Sequence, residues 1–230
     1  MDFENVAFLG IGLINGSMAA AMRARGFEGR IAACARKPET RDRALELGLC
    51  DEAFADPAIA VRGADLVVIG VPPGSVGTIA RAMVGGLDPK AIVTDVSSTK
   101  GDVIRAVVPH LPDPSRFVAG HPVAGTEQSG PDAAFATLFE GRRCILTPIE
   151  DTDRDAVVRI RALWESLGSL VDEMNPEHHD QVLAITSHVP HLIAYTIVAT
   201  VADLEDQAQT EVFKYAAGGF TDFTRIAASD

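Results

Sequence analysis

The chain has 230 residues, 47% of them hydrophobic and 23% charged, enough for one large domain or a domain and a half around a sizeable core. Its 20 basic and 32 acidic side chains leave a net charge of −12, which repels phosphate backbones and anionic bilayers and argues against nucleic acid and membranes as partners. Cys34, Cys50 and Cys144 are scattered and form no Cys-x-x-Cys spacing, so a disulfide scaffold and a structural zinc site are not expected and a reducing, cytoplasmic setting is.

Strand-like runs are expected at 5–9, 30–35, 66–71, 91–95 and 117–119. Amphipathic helical stretches fall at 13–25, 38–47, 76–84, 101–108 and 153–167. The first strand begins near Phe3, leaving no room for a signal peptide. Continuously apolar strands such as Leu66-Val67-Val68-Ile69 are those of a parallel sheet buried on both faces. Strands alternating with helices predict a doubly wound α/β sheet, which runs at 144–147 and 170–173 are expected to extend.

After Asn175-Pro176 helix-period residues dominate and no strand is expected. This places a doubly wound α/β domain at 1–175 and an all-helical domain at 176–230. The charge divides similarly: 15 basic and 17 acidic residues in 1–149, against 5 and 15 in 150–230. The greasiest helical stretch, 189–204, contains Pro190, His191 and Asp203 and reads as too short and too polar to span a bilayer. The chain ends in mid-helix by pattern, so the helical domain is expected to be truncated.

Val6-Ala7-Phe8-Leu9-Gly10-Ile11-Gly12-Leu13-Ile14-Asn15-Gly16 is a strand, a glycine turn and a helix start. Gly10 permits the tight turn, and Gly12 lets the backbone approach a pyrophosphate lying at the positive end of the following helix. Leu13 and Ile14 at that helix start, with Val71 and Pro72 beyond the 66–71 strand, complete the expected cofactor set. Asn15 stands where the third fingerprint glycine belongs, and a larger residue there is expected to loosen helix–strand packing. The second strand ends in Ala35-Arg36-Lys37 rather than in an acid. A guanidinium without a neighbouring carboxylate suits a 2′-phosphate, so the reading leans to NADP over NAD. Seven basic residues fall from Arg23 to Arg43; an ordinary solvated helix face accounts for Arg41 and Arg43.

Three further clusters follow. They are Asp95-Val96-Ser97-Ser98-Thr99-Lys100, then Gly120-His121-Pro122-Val123-Ala124-Gly125-Thr126-Glu127, and, in the helical part, Ser187-His188-Val189-Pro190-His191 with Gly218-Gly219-Phe220-Thr221-Asp222-Phe223-Thr224-Arg225. One side chain stands out on electrostatic grounds alone. Arg225 is the last of only two basic residues beyond Arg161 and is suited to a bidentate grip on a carboxylate. Ser98 also reads as the residue before a capping box in Thr99-Lys100-Gly101-Asp102. A metal at His188 and His191 would need further ligands that the sequence does not supply, and none is expected. His178 and His179 read as surface residues at a helix start.

Together with the Gly10 turn, these clusters resemble the prephenate/arogenate (cyclohexadienyl) dehydrogenase family over essentially the whole chain. The resemblance implies a Rossmann-like domain followed by a helical substrate and dimerisation domain that forms a homodimer. It also implies oxidation of a small anionic substrate, prephenate or arogenate, with loss of carbon dioxide. By that resemblance His121, an imidazole and so a neutral acceptor at cell pH, takes the substrate's hydroxyl proton and Ser98 assists it, while His191, His188, Gly218, Glu127 and Arg225 belong to the substrate pocket. Family members continue past residue 230 with further dimer-forming helices, so the helical face left uncovered is expected to be apolar. A β-hydroxyacid-type dehydrogenase would rely on a lysine in the helical part, where only Lys214 occurs, without a supporting motif. A non-catalytic dinucleotide sensor would need the glycine turn but not His121, Ser98 and Arg225 together.

Overall fold

The computed structural model describes residues 2–204 and 206–227. Runs that are apolar on both faces form a six-stranded parallel sheet, as such runs must if no face is left in water. Its strands are β1 (Asn5–Leu9), β2 (Arg30–Cys34), β3 (Glu52–Phe54), β4 (Leu66–Ile69), β5 (Ile92–Asp95) and β6 (Phe117–Val118), in the order β3-β2-β1-β4-β5-β6. The chain reverses direction across the sheet between β1 and β4, where ligands of doubly wound sheets bind. Alternate residues feed two cores. Phe8 and Val68 face one side with Met18, Met22 and Trp164, whereas Ala7, Leu9, Val67 and Ile69 face the other with Val76, Ala80 and Val103.

Helices α1 (Leu13–Ala24), α2 (Pro38–Glu46), α3 (Pro57–Ala60), α4 (Pro73–Met83), α5 (Gly101–Val107) and α6 (Arg154–Ser166) connect or flank the strands. The short β3 and α3 carry too few periodic residues to be foreseen. One expectation is corrected. The 144–147 and 170–173 runs do not extend the parallel sheet. β8 (Arg143–Leu146) and β9 (Leu170–Glu173) join β7 (Gly120–Pro122) in a separate three-stranded sheet, with β7 antiparallel to β8. The chain breaks away at Ala119, whose carbonyl accepts from Thr147 N at 2.8 Å, so β6 ends there and β7 pairs elsewhere.

The chain divides into two units, Met1–Gly125 with Ser129–Asp180, and Thr126–Gln128 with Gln181–Asp230. Helix α7 (Pro176–Leu183) begins in the first unit; in the second, a π turn (Ala184–His188) leads into α8 (Val189–Ala202), and α9 (Asp206–Tyr215) and α10 (Gly218–Ala227) both contact α8. Leu192, Ile193, Tyr195, Val198 and Tyr215 are exposed. The helix from Pro176 to Ala202 runs 27 residues at a mean hydropathy of 1.5, and only 11% of its apolar window is buried. By length and composition it could cross a bilayer, which corrects the expectation of a stretch too short and too polar. Its first turns, however, carry a fully buried histidine and an aspartate bonded to α5, polar anchors in the sheet unit.

Candidate active site

At the sheet's switch point Gly10 adopts φ +90°, and a Cβ there would lie 2.4 Å from the Gly70 carbonyl oxygen. Only glycine allows β1 and β4 to end so close together. Gly12 begins α1 with no side-chain cap and no acid in the first turn, and a Cβ at Gly12 would meet nothing within 4 Å. An uncapped helix N-terminus facing open space beneath a side-chain-free residue suits a pyrophosphate. Leu13, Ile14 and Val71 are half-buried beside this turn and Pro72 is exposed.

Asn15 does the opposite of what its size suggests. It is 1% exposed, and its Nδ2 donates to the Gly10 carbonyl at 2.7 Å and to that of Val68 at 3.3 Å. The volume comes from Gly70, where a Cβ would lie 2.4 Å from the same Nδ2. Helix and strands are therefore pinned together rather than loosened, with Asn15 Oδ1 left unbonded.

Most of the basic cluster is committed to ion pairs. Arg23 pairs with Asp51, Arg25 with Glu140, Arg30 with Glu52, and Arg43 with Glu46 and Asp132. Arg41, expected on a solvated face, donates instead to the carbonyls of Ala35 and Arg36 at 2.8 and 2.9 Å, shaping the loop that presents Arg36. Arg36 and Lys37 are exposed and have no ion pair among the described residues.

His121 sits on β7 just past β6, 7% exposed. Its Nδ1 lies 2.8 Å from Nε2 of His179, and Nδ1 of His179 lies 2.9 Å from Oδ1 of Asp180. His179 is fully buried, not at the surface as its position at a helix start implied. Burial holds its imidazole below the ordinary 6.5; the Lys100 charge adds to this and Asp180 opposes it. Burial alone would raise the Asp180 carboxyl, but bonds from Gly101 N, His179 and Lys100 N outweigh it and hold the group below 3.8.

Asp180 thus caps α5, receiving Lys100 N at 2.8 Å and Gly101 N at 2.9 Å. The capping box expected from Thr99 and Asp102 does not form; the helix has no side-chain cap of its own, and Asp102 pairs with Arg105. Ser98 is exposed in the loop before α5. Beneath it, the fully buried Lys100 bonds Asp95 Oδ2 at 2.6 Å and the Gly120 carbonyl at 2.5 Å. Asp95 in turn accepts from Ser97 N at 2.8 Å and Gly120 N at 3.2 Å. The residue next to His121 is therefore held by both members of a buried ion pair.

The remaining predicted residues belong to the second unit. Glu127, Gly218 and Arg225 are exposed and His188 and His191 half-buried. His191 Nδ1 donates to the Ser187 carbonyl at 2.9 Å. Sequence reasoning missed His179, Asp180 and Lys100. The one available signal was the adjacent His-Asp pair opening a helix after a proline.

A 3-2-1-4-5-6 parallel sheet with a glycine turn at its switch point and a buried histidine past its sixth strand defines a dinucleotide-dependent oxidoreductase. The model of the prephenate dehydrogenase nucleotide-binding domain matches residues 18–173, and that of the prephenate dehydrogenase dimerization domain matches residues 175–230. The chain belongs to the prephenate dehydrogenase family. It is 41% identical over 228 residues to a cyclohexadienyl dehydrogenase of Zymomonas mobilis, covering 99% of this chain and 78% of that protein. It is 35% identical to a prephenate dehydrogenase of Bacillus subtilis, covering 98% of this chain but 61% of that one. Among solved structures, prephenate dehydrogenase from A. aeolicus in complex with hydroxyphenyl propionate and NAD+ superposes with a TM-score of 0.91 at 36% identity, covering 100% of this chain and 80% of that one. Synechocystis arogenate dehydrogenase gives 0.79 at 30% identity, covering 98% and 80%.

Proposed function

We propose that this chain catalyses the NAD(P)-dependent oxidative decarboxylation of prephenate to 4-hydroxyphenylpyruvate, of arogenate to tyrosine, or of both, in the cytoplasmic synthesis of tyrosine. The observation that carries the reading is His121, buried on β7 just past β6 and backed by a second histidine and a carboxylate. The bound nicotinamide accepts the hydride from the ring carbon that bears the hydroxyl. His121 takes the hydroxyl proton, and the electrons released by departing carbon dioxide complete the aromatic ring, whose oxygen takes a proton back. Ser98, in the loop that follows β5, hydrogen-bonds His121 or its ligands. Arg225 grips a substrate carboxylate, and His191, His188, Gly218 and Glu127 line the substrate's surroundings.

Gly10, Gly12, Leu13, Ile14, Val71, Pro72 and Ser98 hold the dinucleotide. The exposed Arg36, beside Ala35 rather than an acid, supports NADP over NAD. Residues 176–230 serve substrate binding and homodimer formation; the match to a dimerization domain and the exposed apolar residues of α8 support this.

The reading is tested by following reduction of NAD and NADP with prephenate, arogenate and a 3-hydroxy acid, with Arg225→Ala alongside. Turnover of a cyclohexadiene and a strongly raised substrate KM in the variant, with cofactor KM little changed, are expected. Turnover of the 3-hydroxy acid alone would overturn the reaction, and a markedly higher catalytic efficiency with NAD would overturn the NADP preference.

A further inference from the structure

Two histidine rings in contact leave few ways to distribute protons. We propose that His179 and Asp180 are positioning residues that hold His121 in the tautomer protonated on Nδ1, making Nε2 the proton-accepting atom; this rests on the dehydrogenase reading above.

The argument runs from the carboxylate outward. Asp180 accepts two backbone N–H groups at the start of α5, an arrangement that favours the anion. An ionised carboxylate only accepts, so the Nδ1 of His179, 2.9 Å away, carries a hydrogen. Fully buried and biased to neutrality, His179 then has a lone pair on Nε2. That atom lies 2.8 Å from Nδ1 of His121, so the hydrogen between the rings belongs to His121. The reverse direction would turn a lone pair of His179 toward the Asp180 charge. When the substrate's O–H bond breaks and an Nε2–H bond forms on His121, the ring becomes an imidazolium. Its Nδ1–H then points along a chain ending in a negative charge. No proton leaves Nδ1.

Among the described residues, three other groups near the ring are committed elsewhere or uncharged. Lys100 and Asp95 are paired with each other. Cys144, opposite Pro122 on β8, has its thiol pushed far up by burial and stays neutral. The 5.0 Å, 70° edge-on packing of the two rings fixes the direction of the contact.

Long-range 1H–15N spectra of protein labelled in histidine nitrogens test the tautomer without requiring turnover, with His121→Asn supplying the assignment. The Nδ1–H form at His121 near neutral pH is expected, and the Nε2–H form would overturn the proposal whatever the enzyme's activity. Asp180→Asn can present an N–H to His179 and reverse the chain. In that variant kcat falls by about 10²-fold, dinucleotide Kd is unchanged, and the acid limb of kcat/KM moves to lower pH because the imidazolium loses its counter-charge. His179→Gln keeps an acceptor for His121 and should retain more activity than His179→Leu. Unchanged kcat and an unchanged acid limb in a folded Asp180→Asn variant would overturn the proposal. An expected tautomer in a protein that turns over no cyclohexadiene supports the positioning chain and overturns the reaction instead.

Discussion

Asn15 and Gly70 exchange volume between a helix and a strand. The amide occupies the space a side chain just past β4 would need and uses it to bond the carbonyls of Gly10 and Val68. Each of those carbonyls lies next to the glycine turn proposed to hold the dinucleotide, so the contact is a latch on that turn. Replacing Asn15 by Gly restores the usual fingerprint but strands two acceptors above an empty volume. The variant should lose roughly 1–3 kcal/mol in urea unfolding and bind dinucleotide more weakly in a fluorescence titration. Asn15→Gly matching the parent in both would show that the amide contributes nothing.

At the scale of elements, α5 organises the surroundings of His121. Its N-terminus is capped by Asp180 from α7, and the residue just before it is Lys100, whose ammonium reaches under β5 to Asp95 and Gly120. The loop carrying Ser98 and the strand carrying His121 therefore share one buried ion pair. Lys100→Met leaves Asp95 charged and buried, and should cost roughly 3–5 kcal/mol of unfolding free energy. Adding Asp95→Asn removes the stranded charge while keeping an acceptor for Gly120 N or Ser97 N. Chemical denaturation should find the double variant more stable than Lys100→Met alone.

For the whole molecule, the acid side of the stability profile follows from the same groups. His179 has its folded value lowered below 6.5, so the unfolded chain takes up its proton first and stability falls as pH drops below that point. Asp180 and Glu173 are also lowered in the fold. Their stabilisation is complete above the unfolded carboxylate values near 4 and is lost as pH falls through the folded ones. A thermal-melt series from pH 8 to 3 should show two declines, the first absent in His179→Gln. The thiols of Cys34 and Cys50, pushed up by burial to about 11, stay neutral throughout and contribute nothing to either step.

Local pattern was enough for much of this protein. Continuous apolar runs have only a parallel sheet to enter, a glycine turn between strand and helix has only one common use, and the His121 and Arg225 clusters carried a resemblance to a dehydrogenase family. Such signals lie within ten residues of one another, where chain geometry alone relates them. What the sequence could not specify involves residues far apart in the chain. The second sheet depends on where β7 finds its partner. The exchange of volume between Asn15 and Gly70 spans 55 positions, and the chain from His121 through His179 to Asp180 and α5 joins segments separated by 58 and 80. A histidine beside an aspartate at a helix start looks solvated until tertiary packing excludes water from it. Burial and long-range partners, not residue identity, decide which nitrogen carries the proton.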